Sequence, residues 1–102
     1  MIYITQLIFI EAGREELFHQ FEDIVIPLIP KYNGKLLIRV RPTDESIIES
    51  SIEKPYEIHL VQFDSEKELE NFTKDEERAR FLYLKKESVK SILLIIGSSP
   101  AT

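Results

Sequence analysis

Residues Ile2–Ile10 (IYITQLIFI) alternate two sets of side chains, and both sets are largely apolar: Ile2, Ile4, Ile8 and Ile10 on one side, Tyr3, Thr5, Leu7 and Phe9 on the other. The β-branched and aromatic content marks a strand, and two apolar faces mark a central strand covered on both sides. A chain of 102 residues has enough helix for one covering layer, which serves one face of a sheet. The second face needs a cover from elsewhere, and another copy of the chain supplies it most economically.

Gly13 breaks this strand. Across residues 14–31, Leu17, Phe21, Ile24 and Leu28 recur at helical spacing, flanked by Phe18 and Val25, with Glu15 and Glu16 at the start and Lys31 at the end to suit the helix dipole. Pro27 removes a backbone hydrogen bond inside the pattern and predicts a kink or an early end, after which Asn33 and Gly34 supply the left-handed conformation that stops a helix. Residues 35–41 form the second strand, with Leu36, Ile38 and Val40 on one face and Lys35, Leu37, Arg39 and Arg41 on the other; Pro42 ends it. Residues 43–54 (TDESIIESSIEK) are polar and acidic and too long for a tight hairpin, and Ile47, Ile48 and Ile52 predict a loop that packs on something, as a lid or a dimer arm.

The third strand spans 55–63 (PYEIHLVQF), with Tyr56, Ile58 and Leu60 on one side and Glu57, His59, Val61 and Phe63 on the other. Ser65 and Glu68 match a capping box ahead of Leu69 and Phe72, and Asp75 caps a further helical stretch through about residue 86, with Phe81, Leu82 and Leu84 inward. Residues 89–96 (VKSILLII) read as a buried last strand, followed by Gly97. The order is βαββαβ, an α+β class, in one domain over residues 1–97 with a polar tail at 98–102.

Thirteen basic against eighteen acidic residues leave a net charge of −5, a field that repels phosphate backbones and anionic bilayers, so neither a nucleic-acid nor a membrane partner is expected. The apolar opening reaches Glu11 too soon for a spanning helix or signal sequence and reads as a strand of the mature fold. The absence of cysteine removes disulfides, thiol nucleophiles and thiolate metal sites and fits a reducing cytoplasm. No Gly-rich phosphate loop, Ser-His-Asp order or nucleophile elbow is present, and no motif calls for haem, flavin or a metal. His19 among Glu15, Glu16, Glu22 and Asp23 reads as a solvated helix face, and Lys85, Lys86 and Lys90 likewise read as solvated.

Three stretches, IPLIPKYNGKLLIR (26–39), VQFDSEKELENF (61–72) and the last strand closing on Gly97, resemble a family of small bacterial domains of uncharacterised function in the dimeric α/β-barrel superfamily. The resemblance covers most of the chain. It implies a ferredoxin-like unit: a four-stranded antiparallel sheet with helices on one face, its other face packed against the same sheet in a second subunit. It implies no particular reaction, because the superfamily includes quinol-forming monooxygenases, haem-degrading enzymes, lactone isomerases and proteins with no known activity.

Antiparallel pairing of the second and third strands, with their apolar sides aligned under the helices, puts Leu36, Ile38 and Val40 beside Tyr56, Ile58 and Leu60. The opposite face then gathers Arg39 across from His59 and Arg41 across from Glu57. Such a group can hold a small carboxylate or enolate on its guanidinium groups while His59 moves a proton and Glu57 orients it, with Tyr3, Phe9 and Phe63 lining an apolar cavity on the same side. The same residues also make sense as cross-strand ion pairs and as plain core or interface packing. The function expected is a homodimeric small-ligand-binding domain with a cavity on the sheet face. The alternative is a cofactor-free enzyme, monooxygenase-like or isomerase-like, acting on a small aromatic or unsaturated acid.

Overall fold

The structure, a computed structural model, describes residues 1–98. Strand β1 (Ile2–Ile10) leads to helix α1 (Glu15–Val25), a 3-10 segment (Ile26–Tyr32) and β2 (Gly34–Val40); a single 3-10 turn (Asp44–Ser46) precedes β3 (Glu57–Phe63). Helices α2 (Glu66–Thr73), α3 (Glu76–Arg80) and α4 (Leu82–Ser88) then lead into β4 (Val89–Ser98). The strands form one antiparallel sheet in the order β2-β3-β1-β4. The doubly apolar β1 is thus a central strand, as its composition demands. The tail expected at 98–102 begins inside β4 at Ser98, and residues 99–102 lie outside the described residues.

Local chemistry accounts for the connections. At Pro27 the α-helical ladder gives way to 3-10 geometry, and Asn33 stops it in the left-handed conformation at φ 56°, its N–H reaching the carbonyls of Ile29 and Pro30. Gly34 is needed for a different reason. A β-carbon there would sit 2.6 Å from Ile29 Cγ2 and 2.7 Å from Phe63 Cε1, so its lack of a side chain lets β2 lie against the core. Ser65 Oγ accepts from the Glu68 N–H at 3.3 Å, one half of the expected capping box. Asp75 Oδ1 accepts from the Arg78 N–H at 2.9 Å to start α3, and the expected single stretch breaks at Phe81 into α3 and α4. Of the loop isoleucines, Ile47 is partly buried, Ile48 fully exposed and Ile52 half-exposed.

The helices cover one face of the sheet, and it is the reverse of the face expected. Ile4, Ile29, Val61 and Phe63 form a buried core cluster, joined by Leu36 and Phe72, so the Glu57, His59, Val61 and Phe63 side of β3 lies under the helices. In β2 the register passes from Leu36 opposite Val61 to Ile38 opposite Leu60, leaving Leu37 as the extra residue of a bulge. Strict alternation fails there. Leu36 packs inward, and Arg39 and Arg41 return to that same inner side, while Ile38 and Val40 turn out to stand 52% and 44% exposed. Together with Thr5, Leu7, Ile58, Leu60, Leu93 and Ile95 they make an apolar outer face.

Candidate functional site

Between the sheet and its helices lies a cavity of about 370 Å³. Ile4, Ile8, Val61 and Phe63 wall it on the sheet side, and Phe18 and Phe21 of α1 on the helix side. Its polar lining is sparse: Gln6, Glu22 and His59 toward β1, β3 and α1, and Thr73, Arg78 and Lys85 from α2, α3 and α4. Mostly apolar walls with a few converging polar groups are the usual make-up of a small-molecule site.

Beside the cavity a charged cluster is built on the buried Glu57, Glu22 and His59, with Arg39 and Arg41 part-exposed at its outer edge. Glu57 is 1% exposed and accepts from Arg39 Nε at 3.2 Å, Arg41 Nε at 3.2 Å, Arg41 Nη2, and His59 Nε2 at 2.8 Å. Arg39 also donates through Nη2 to Glu22 Oε1 at 2.8 Å, tying β2 to α1. His59 Nε2 lies 3.1 Å from Glu22 Oε2, but its N–H is directed to Glu57, so Glu22 Oε2 is buried without a well-formed hydrogen bond. A buried polar atom left like this, on a group lining a cavity, is where a proton or a ligand donor fits.

The cluster sorts its protons. Burial pushes the Glu57 carboxyl up, yet hydrogen bonds from His59, Arg41 and Arg39, together with its interaction with the neighbouring Glu22, outweigh it and hold Glu57 far below the usual carboxylate range. Glu22 moves the other way: burial first, then the neighbouring Glu57, raise it above its ordinary value. Burial lowers His59, but its hydrogen bonds and charge interactions with Glu22 and Glu57 prevail, and its pKa rises. Glu57 is therefore held as the anion of the cluster, and Glu22 and His59, both at the cavity wall, have their proton affinities raised.

His19, Glu22 and Glu57 bring ligand atoms within 4.8 Å of one another, a spacing that suits a metal ion. Their surroundings do not suit one. Two guanidinium groups already occupy Glu57, one of them also binds Glu22, and His19 Nε2 is bonded to the Tyr56 hydroxyl at 2.6 Å. The positive charge a cation would bring is already present in Arg39 and Arg41.

Arg39 lies opposite His59 in the ladder, as parity requires, and Arg41 reaches Glu57 through its side chain. Both guanidinium groups are engaged by carboxylates, away from the cavity walls, because the bulge turns them inward onto Glu57 and Glu22. Phe63 lines the cavity, but Tyr3 does not: it pairs with Gln62 and so projects from the opposite face. Tyr56 does lie under the helices as expected, packing on Phe18 and His19 of α1 at centroid distances of 6.0 and 5.8 Å, whereas Ile58 and Leu60, expected beside it, face outward. Glu22, expected on a solvated helix face, is 3% exposed. The signal for its burial is in the sequence, because Phe18, Phe21, Glu22 and Val25 form one helical stripe. Lys85, expected to be solvated, is partly buried: it shares a stripe with Phe81, Leu84 and Ser88.

No family model matches the chain, and no curated protein matches it. Solved structures do. A protein of unknown function from Rhodopseudomonas palustris superposes with a TM-score of 0.82 at 13% identity, over 99% of this chain and 83% of that one. A dimeric ferredoxin-like protein of unknown function from a Jannaschia species gives 0.72 at 16% identity, over 96% and 98%. A candidate antibiotic biosynthesis monooxygenase from Nitrosomonas europaea gives 0.72 at 9% identity, over 97% and 98%. At these identities the likeness shows the fold: ferredoxin-like, shared with small proteins of unknown function, some of them described as dimeric.

Proposed function

We propose, from the ferredoxin-like fold as premise, that this chain is a homodimeric binding domain that encloses one small, largely apolar molecule per protomer between its sheet and its helices. The single observation that carries this is the cavity of about 370 Å³, apolar except for a few inward polar groups, with the buried Glu22–His59 pair on its wall. Homodimerisation is supported by the apolar outer face, where Ile38, Val40, Leu93 and Ile95 stand 44–59% exposed, and by the dimeric description of a neighbour of the same fold. A second copy of that face is the occupant we assign to it.

The test is a titration of 1-naphthol into the protein, followed through the methyl resonances of Ile4, Ile8 and Ile92. Saturable shifts at these three cavity residues, weakened at least tenfold in Leu94→Trp, are expected; Leu94 sits on the cavity rim and is itself half-exposed, so the fold tolerates the change. No shifts, or shifts confined to the outer-face residues Thr5 and Leu60, would overturn the assignment.

A second reading, cofactor-free proton transfer, is favoured by one feature: Glu22 has a raised pKa and an oxygen without a hydrogen bond at the cavity wall. The monooxygenase description of one neighbour fits a site of this kind. Phenylpyruvate in D₂O supplies the check. Exchange of its benzylic protons above the buffer rate, abolished in Glu22→Gln, supports the reading, and exchange at the buffer rate removes it.

A further inference from the structure

We propose that the cavity is built for an anion with an apolar body, its carboxylate or comparable head held by Arg78 and Lys85. This rests on the cavity being a binding site and adds the chemistry of its ligand. The sequence points to Arg39 and Arg41 as anion holders, but both are already bonded to carboxylates. At the α3 and α4 end of the cavity the balance differs. Arg78 and Lys85 both line it, and neither makes an ion pair among the described residues.

Arg78 Nε is buried without a hydrogen-bond partner. Its Nη1 donates only to the Thr73 carbonyl at 3.2 Å, and its guanidinium lies 5.5 Å above the ring of Phe72, which also lines the cavity. Glu76 and Glu77, the acids nearest in sequence, are exposed and make no ion pair with Arg78, and Asp75 caps α3 and accepts from Tyr32 and Lys31. Two partly buried cations with no acid in ion-pair contact carry a standing cost, and each has its pKa lowered, first by burial, which the charge of Asp75 offsets only in part for Arg78. For Lys85 the charge of Arg78 adds to the effect. An anion entering between them removes that cost. The other end of the cavity offers no such vacancy, since Glu22 and Glu57 there face Arg39, Arg41 and His59. A ligand with its charge toward α3 and α4 and its body along Phe72, Phe63 and Ile4 meets like with like throughout.

The experiment compares 1-naphthaleneacetate with 1-naphthaleneacetamide, which share body and shape and differ in charge, by calorimetric titration of the intact chain at pH 7. The anion is expected to bind about tenfold tighter or more. Arg78→Met and Lys85→Met are each expected to reduce the preference at least threefold, with amide affinity held within about twofold. Arg78→Lys, which keeps the charge, guards against a folding defect and should retain most of the preference. Equal binding of the two probes overturns the anion assignment and leaves cavity binding standing. A preference that survives the double Met variant overturns the roles of Arg78 and Lys85. Binding of neither probe removes the cavity reading and this proposal with it.

Discussion

Glu57 is the residue on which the charged cluster depends: one fully buried carboxylate accepts from Arg39, Arg41 and His59 together. Exchanging it for an amide of the same shape leaves three donors around a neutral group. Glu57→Gln is therefore expected to destabilise the fold by about 3 kcal/mol, measured by urea unfolding. A loss under about 0.5 kcal/mol would mean that the arginines find other partners at no cost. The shifted groups of this cluster set the pH dependence. His59 is raised from 6.5 in the folded chain, so its contribution is complete below 6.5 and is lost as pH rises through the folded value above it. Glu22, raised from 4.5, acts with the same sign, since stability falls as pH rises through its folded pKa. Glu57, lowered from 4.5, acts oppositely: its contribution is present above 4.5 and lost as pH falls through its lower folded value. Melting temperature should decline on the alkaline side of 6.5, and His59→Gln should flatten that decline; an unaltered alkaline limb in the variant would exclude His59 as its source.

Single elements are held by contacts that small substitutions can test. Strand β2 approaches the core so closely at Gly34 that a β-carbon there meets Ile29 and Phe63. Gly34→Ala is expected to cost about 1–3 kcal/mol through overpacking, read by thermal unfolding, and a neutral result would show that β2 can shift outward freely. Helix α3 begins at Asp75, which caps it and also receives Lys31 Nζ at 3.1 Å and the Tyr32 hydroxyl, fastening the helix to the 3-10 segment. Removing the carboxylate in Asp75→Ala should lose about 1–2 kcal/mol and increase amide exchange in residues 76–80 ahead of the rest of the chain. Exchange raised uniformly along the chain would assign Asp75 to global packing and not to the cap.

For the whole molecule, one layer of helices on one sheet leaves an apolar surface that a monomer has no means to cover. Ile38 stands on it, 52% exposed and opposite Leu60. Ile38→Lys places a charge within the proposed dimer contact while disturbing the protomer by no more than about 0.5 kcal/mol. Sedimentation equilibrium at micromolar concentration is expected to show dimer for the parent chain and monomer for the variant, with unchanged far-ultraviolet circular dichroism. A parent chain that sediments as a monomer would remove the dimer, and an unaffected dimer would move the contact elsewhere, for instance to the exposed loop isoleucines.

Strand periodicity, Gly and Pro punctuation and capping residues act locally, so the order of elements, the central place of β1, the end of α1 near Pro27 and the pairing of Arg39 with His59 were all legible in the sequence. The grouping of Glu57 with His59 and Phe63 was legible too, because alternation fixes which residues share a face. Alternation does not say which face the helices take. When both sides of a sheet carry apolar residues, polarity no longer separates inside from outside, and here the helices took the side of β3 carrying Glu57 and His59, whose charges pair with Arg39, Arg41 and Glu22. Nor does alternation foresee a bulge: one extra residue at Leu37 changed the parity of everything after it in β2. Those two decisions, together with the inward turn of Glu22 and Lys85 from otherwise charged helices, belong to tertiary packing, where distant elements compete for the same surface and no local pattern records which of them wins.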